Sequence, residues 1–147
     1  MADITLELIN LVKSILSDAG LNVPVYALAP DIRSTLPAVT IQKAGGTITE
    51  ALDPEGPWWT RIDYELSVWA SSNKEKYGIA NVIINGIKDR NPNPTESISW
   101  IKVVNEGTDV TQREQRFIVH RLVIPLQVFY LLSVPSRMLR RNFLTLS

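Results

Sequence analysis

Apolar residues recur every three or four positions near the start of the chain, which is the spacing of one side of an α-helix. Asp3 suits the N-cap and Gly20 the C-terminal stop, so the pattern predicts a first helix between them. Three prolines within Leu21–Pro37 leave room only for a short strand near Val25–Ala27. The stripe consists of Ile4, Leu8, Leu11, Val12, Ile15 and Ala19.

One-by-one alternation of apolar and polar residues then predicts a long β-hairpin. Its first strand begins at Ala38–Lys43, and its second runs from Arg61 to Val68. Asp53-Pro54-Glu55-Gly56 has the residue order of a type I turn between them. The outer half of this hairpin, roughly residues 47–60, is expected to stand clear of the body.

The predicted turn also sets a strand register. Residues whose numbers sum to 109 would pair, so Ile41 would face Val68 and Val39 would face Ala70. Gly45-Gly46 lies midway along the first strand, where two glycines favour a β-bulge.

A second helix is predicted over Lys74–Lys88, with Ser72 or Asn73 as its N-cap, and the segment Asp89–Pro94 ends it. Its expected buried stripe comprises Tyr77, Ala80, Ile83, Ile84 and Ile87.

Two more strands are predicted, Ile98–Asn105 and Glu114–Val128, joined by a polar loop that contains Gly107. Pro125 suggests that the last strand reaches a sheet edge or leaves the sheet at that residue. The element order α–β–β–β–α–β–β predicts an α+β fold, with two helices on one face of a mostly antiparallel sheet. We expect one domain over residues 1–128 and a C-terminal arm over residues 129–147.

Composition fits one domain with a real core. The chain has 147 residues, of which 45% are hydrophobic, and a domain of that length buries about 68–70% of its unfolded surface. It contains no cysteine, which excludes disulfides and thiolate zinc sites. The charges balance at 15 basic and 15 acidic residues, so a strongly basic nucleic-acid binder is not indicated.

The balance hides a split along the sequence. Residues 1–65 hold nine acids and four bases, a net charge of −5, whereas residues 66–147 hold six acids and eleven bases, a net charge of +5. The split either disappears when the halves mix in space or marks two oppositely charged surfaces suited to head-to-tail association.

Signals for export or membrane insertion are not evident. Asp3 and Glu7 make the start acidic, unlike a secretory signal. The most apolar stretch, Phe117–Leu132, is short for a membrane span and is interrupted by polar residues. These features predict a soluble protein made in the cytoplasm.

No pattern of residues indicates an active site, a metal site or a cofactor site. His120 is the only histidine and lies in an apolar strand pattern, which favours a packed or rim position over catalysis. Asp63 and Glu65 share one strand face and could hold magnesium. However, Arg61 shares that face, and alternating charges are typical of a solvated strand. We therefore expect no enzyme activity.

Two sets of residues instead suggest contacts with partners. Trp58 and Trp59 lie beside the hairpin turn, and since successive strand residues face opposite ways, at least one indole should point outward as an interface anchor. The alternative is that both fold back on the hairpin base. In the C-terminal arm, three arginines without an acid could contact nucleic acid, acidic protein or neither. They are Arg137, Arg140 and Arg141.

The layout resembles the tail terminator, or tail completion, proteins of long-tailed bacteriophages. The local matches are VPVYALAP at residues 23–30, LPAVTIQKAGG at 36–46 and RIDYELSVWASS at 61–72, the last followed directly by a helix. The resemblance covers roughly Ile4–Val128. It rests on architecture and soft motifs and involves no catalytic signature.

This resemblance implies a virion protein without a cofactor that forms a ring, usually a hexamer, on the finished tail tube. Such a ring stops tube polymerisation and supplies the joining surface for the neck proteins of the head, while DNA passes through its lumen without specific binding. The implied contacts with the tube or a neighbouring subunit lie at the hairpin tip, at Asp53, Glu55, Trp58 and Trp59. The arm is longer than expected for a minimal member, and it could embrace a neighbour or contact the neck.

Three other functions remain open from the sequence. The nearest is another head–tail connector ring, such as a neck or stopper protein. The second is a small magnesium-dependent nucleic-acid enzyme that uses Asp63 and Glu65. The third is a nucleic-acid-binding module built on the arm arginines.

Overall fold

Six strands form one sheet, and two helices pack against one of its faces. The computed structural model describes residues 3–27, 36–51, 58–114 and 117–131. Side chains are described for these residues except at 46–51, 58–59, 112, 114, 117 and 131. The elements are α1 (Ile4–Asp18), β1 (Val25–Tyr26), β2 (Ala38–Ala51), β3 (Trp58–Ala70), α2 (Asn73–Arg90), β4 (Ile98–Val103), β5 (Thr108–Glu114) and β6 (Phe117–Leu131).

The strand order across the sheet is β1-β2-β3-β6-β4, and β5 also pairs with β6. Only the short β1 runs parallel to its neighbour; the other pairings are antiparallel. The predicted α+β fold is therefore confirmed, with α1 and α2 closing the core against the inward residues of the sheet.

Both helices begin where capping chemistry predicts. The Asp3 side chain accepts a hydrogen bond from the Leu6 amide at 3.1 Å, and the Ser72 hydroxyl accepts one from the Glu75 amide at 3.2 Å. Each bond satisfies one of the amides left free in a first helical turn. The expected burial of Tyr77 is wrong, because its side chain is 42% exposed, and Lys76 occupies the buried position instead.

The bulge predicted at Gly45-Gly46 falls where the β2–β3 register shifts, between Lys43 and Thr47. Outside the bulge, Thr47 pairs with Ile62, as a pairing sum of 109 requires. Inside it the sum drops to 107. The predicted Ile41–Val68 pair is therefore wrong, and Ile41 lies opposite Leu66. A shift of two residues keeps every side chain on its original face, so the apolar pattern survives it.

The outer hairpin is less isolated than the sequence suggests. β6 accompanies β3 as far as the Trp59–Leu131 pair, so β6 does not end at Val128 and the ribbon has three strands over this stretch. The Thr60 side chain is already 1% exposed. Residues 52–57, which include the predicted turn, lie outside the described part of the chain.

The polar loop predicted before Glu114 is wrong, because most of it forms β5. Gly107 makes the preceding turn at a φ of +112°, where a side chain would also strike Leu122 and Ile124. A polar strand resembles a loop in sequence, and β5 has no buried residue among its described side chains, so it is defined by its pairing with β6.

The edge position predicted for Pro125 is also wrong. β6 lies between β3 on one side and β4 with β5 on the other. The carbonyl of Pro125 accepts a hydrogen bond from the Val104 amide at 3.0 Å, at the junction where β4 gives way to β5. The nitrogen and the carbonyl oxygen of a strand residue face the same neighbouring strand. The Pro125 nitrogen, which has no hydrogen to donate, therefore faces the gap between β4 and β5, where no ladder bond is lost.

Candidate interaction surfaces

Of the four hairpin residues predicted to contact a partner, two lie in the described part of the chain. Trp58 and Trp59 begin β3, and their backbones pair with Ala51 and Glu50 of β2. Asp53 and Glu55 lie outside the described residues. The side chains of Trp58 and Trp59 lie outside the described part of the structure, so the outward-pointing indole stays a prediction. Also outside the described residues are Arg137, Arg140 and Arg141.

The carboxylates considered for magnesium are placed by β3. The Arg61 Nε lies 3.2 Å from the Asp63 Oδ1, so that carboxylate has a cationic partner on its own strand face. Glu65 is exposed and lies opposite Pro125 across the strand pair. Within the ranges that the structure describes, no group of three histidine, cysteine or acidic residues could hold a metal ion.

His120 occupies a strand position near one end of the sheet. It is half-buried and pairs with Ala70 of β3 and Thr111 of β5. This is the packed or rim position expected from its apolar strand context. Its neighbour Arg121 faces the other way and lies 4.5 Å above the ring of Trp69, with its Nε donating to the Ser67 hydroxyl at 3.1 Å.

A polar cluster that sequence reasoning missed joins α2 to β5. The Lys76 ammonium contacts the Asp109 carboxylate and donates to the Asn73 side chain at 3.1 Å, although the lysine is 1% exposed. The Tyr77 hydroxyl donates to the second oxygen of Asp109 at 2.5 Å. One signal was available: Lys76 lies four residues before Ala80, on the stripe that predicts burial.

The pKa shifts in this cluster follow from its hydrogen bonds. The bond from Lys76, and after it the bond from Tyr77, holds the pKa of Asp109 below its usual value because both favour the carboxylate. The hydrogen bond from Tyr77 to Asp109 also raises the pKa of Tyr77, since ionising the phenol would remove the proton that it donates. The cluster neutralises a buried ammonium, and we read it as structural.

A second tyrosine is shifted inside the core. Burial raises the pKa of Tyr64, and its hydrogen bond with the Thr5 hydroxyl, at 2.8 Å, partly offsets that rise. The bond links β3 to the first turn of α1. It satisfies the phenol oxygen in a side chain that is 1% exposed.

A shallow groove of about 400 Å³ lies between the end of α1 and the segment leading to β1. Lys13, Ser17 and residues 20–25 line it. The polar groups in this lining do not form a catalytic set, so the groove adds no chemistry.

The charge split along the sequence does not separate two halves of the molecule. Arg90, from the basic half, binds Asp18 of the acidic half at 2.7 Å. Lys102 lies across Gln127 from Asp63 on the same face of the sheet. The two halves therefore mix at these contacts.

Comparisons with known proteins leave the family open. No protein-family model matches the chain, and no curated protein is significantly similar to it. Among solved structures, a chain from "Virion of native gene transfer agent (GTA) particle" is similar at 11% identity and a TM-score of 0.43, over 82% of this chain and 84% of that chain. At this level the similarity carries no argument about function. Neither described helix is long and apolar enough to cross a membrane.

Proposed function

We propose that the chain is a structural, non-enzymatic virion protein of a long-tailed bacteriophage. In this proposal it forms a ring, usually of six copies, on the head-proximal end of the tail tube. The ring stops polymerisation of the major tail tube protein and provides the joining surface for the neck proteins. DNA passes through its lumen without specific binding, and assembly takes place in the host cytoplasm.

The observation that carries the proposal is the order of elements around the hairpin. A capped helix and a two-residue strand precede a fourteen-residue strand, β2, and the thirteen-residue β3 leads directly into α2. This order accompanies the motifs at residues 23–30, 36–46 and 61–72 on which the resemblance to tail terminators rests.

The proposed contact surface is the hairpin tip. β2 and β3 stay paired as far as Ala51 and Trp58, and β6 supports the same ribbon up to Leu131. A paired ribbon presents its tip at lower entropic cost than a free loop. We assign contacts with the tube or a neighbouring subunit to Asp53, Glu55, Trp58 and Trp59, and further partner contacts to Arg137, Arg140 and Arg141.

Tail tubes assembled without this protein provide the test. Addition of the full chain should place a ring at one tube end in electron micrographs, and tubes grown with it should have a uniform length. Trp58→Ser with Trp59→Ser should weaken ring binding, because large aromatic side chains dominate many interfaces. Ile118→Ser is the matched control, since Ile118 is 52% exposed and pairs with Arg113 at the other end of the sheet.

The alternatives give different results in the same material. A neck or stopper protein would leave tube ends bare and appear under the portal of the head. A nucleic-acid enzyme would lose magnesium-dependent cleavage on substitution of Asp63→Asn with Glu65→Gln, while tail assembly stayed unchanged. Tubes that remain bare and of uncontrolled length in the presence of the chain would refute the tail-capping role.

A further inference from the structure

The sheet has one face without a covering layer in the described part of the chain. α1 and α2 cover the inward face, and the alternation of the strands places a second set of side chains on the other, which we call the open face. A group of apolar residues on β4, β5 and β6 lies there, partly or largely exposed. This open-face patch consists of Trp100, Val110, Val123, Pro125 and Phe129.

The patch has two apolar groups, and the Gln127–Lys102 pair lies between them on the same face. Trp100 and Phe129 are directly opposite in the β4–β6 register, and the Trp100 side chain is 45% exposed. Val123 lies opposite Thr108, two register positions from the Val110–Arg121 pair. Cross-strand neighbours on one face are close enough to contact each other, so Trp100 and Phe129 form one group and Val110, Val123 and Pro125 form the second.

Elsewhere on the open face, the large apolar side chain of Trp69 is covered by its neighbours. The Trp69 indole donates to the Thr40 hydroxyl at 2.9 Å, Arg121 stacks on its ring, and the tryptophan is 5% exposed. The open-face patch has no such cover in the described residues. Exposed apolar side chains grouped on one sheet face mark a site where another segment or molecule docks.

The chain that follows β6 starts beside the patch and is long enough to cross it. β6 carries Val123, Pro125 and Phe129 and ends at Leu131, and sixteen residues follow. At about 3.3 Å per residue they reach about 50 Å, whereas Leu131 and Val123 are only about 26 Å apart along the strand. Residues 132–136 can therefore reverse the chain and leave the remainder to lie along the patch.

The sequence of this segment has the amphipathic pattern of such a cover. At helical spacing, Leu139, Phe143 and Leu146 share one side. Arg137 and Arg141 fall on the opposite side together with Leu144, and Arg140 lies at the border between the two sides. The segment is too short for a core of its own, so its apolar side needs an apolar partner.

We propose that residues 132–147 fold back over the open face of their own sheet, with Leu139 and Phe143 against the open-face patch and the arginines toward solvent. The covalent link to β6 gives the segment an effective concentration of about millimolar at its own sheet, which favours that surface over the same patch on a second copy. The inference goes beyond the proposed function and does not depend on it.

Paramagnetic relaxation enhancement on the full chain tests the proposal. The native chain has no cysteine, so Thr145→Cys provides one attachment point for a nitroxide. Backbone amide signals of Lys102, Val123 and Gln127 on the open face should lose most of their intensity. The amides of Asn81 and Asn85, which are exposed on α2, should keep theirs.

Two further samples decide which chain supplies the cover. A mixture of isotope-labelled wild type and unlabelled, nitroxide-bearing chain should show no intensity loss. Leu139→Asp with Phe143→Asp should restore the open-face signals, whereas Arg137→Gln with Arg140→Gln should leave the loss unchanged. Intensity loss in the mixture as well would overturn the proposal in favour of a second copy, and open-face signals unaffected in every sample would overturn docking altogether.

Discussion

The buried ammonium of Lys76 on α2 is neutralised by the Asp109 carboxylate of β5, whose own side chain is 52% exposed. Among the described strands β5 pairs only with β6, and the ion pair ties it to α2, a helix of the core. A buried charge that loses its partner is strongly destabilising, because its desolvation is no longer compensated.

Asp109→Asn should therefore lower the urea midpoint of unfolding. The amide keeps the size of the side chain but removes the charge that Lys76 requires. Glu106→Gln is the matched control: it removes one acidic charge from the adjacent β4–β5 turn, where the side chain is exposed. Equal midpoints for the two variants would show that the ion pair contributes nothing to stability.

Acid should weaken the same contact. The pKa of Asp109 is lower in the folded chain than its ordinary value of 3.8, so its contribution is complete above that pH and is lost as the pH falls through the folded pKa. Between about pH 4 and pH 2, wild type should lose more stability than Asp109→Asn in urea titrations at each pH. If the free energy of unfolding falls equally with pH in the two proteins, the acid sensitivity does not come from Asp109.

Alkali should also destabilise the fold, through two tyrosines whose pKa values are raised in the folded chain. The folded pKa values of Tyr64 and Tyr77 lie above their ordinary value of 10.0. Their contribution is therefore complete below pH 10.0 and is lost as the pH rises through the folded values. Tyr77→Phe should flatten part of the alkaline stability loss and Tyr64→Phe another part, measured by thermal unfolding between pH 9 and pH 11. A loss unchanged in both variants would contradict this origin.

Local patterns predict the helices, the bulge and the long hairpin because each rests on contacts near in sequence. The failures involve neighbours distant in sequence. β5 is polar and exists through pairing with β6, Pro125 is tolerated because the ladder breaks beside it, and Lys76 is buried because Asp109 comes from 33 residues away. The open-face patch cannot be predicted from the sequence for the same reason, since Trp100 and Phe129 become neighbours only through the register.

The outer edge of β4 gives a prediction about strand protection. The Asn91 side chain both donates to the Ile101 carbonyl at 2.8 Å and accepts from its amide at 3.1 Å, and the Asn93 amide donates to the Ser99 carbonyl at 2.8 Å. This arrangement occupies backbone groups that would otherwise invite another strand. Asn91→Ala should cost about 1–3 kcal/mol of unfolding free energy and increase concentration-dependent association, followed by light scattering. Asn85→Ala, on the exposed side of α2, should do neither.

The contact between the two helices gives the sharpest pair of variants. A side chain at Gly86 of α2 would collide with the β-branched Ile15 of α1, which is 3% exposed, whereas a side chain at Gly78 would meet open space. Gly86→Ala should destabilise the fold by about 1–3 kcal/mol, because a stiff buried side chain cannot move aside. Gly78→Ala should stabilise it by about 0.5–1 kcal/mol, because alanine loses less backbone entropy in a helix. Urea unfolding of both variants measures the difference. If Ile15→Ala does not relieve the cost of Gly86→Ala in a double-mutant cycle, the close approach of these helices is not its cause.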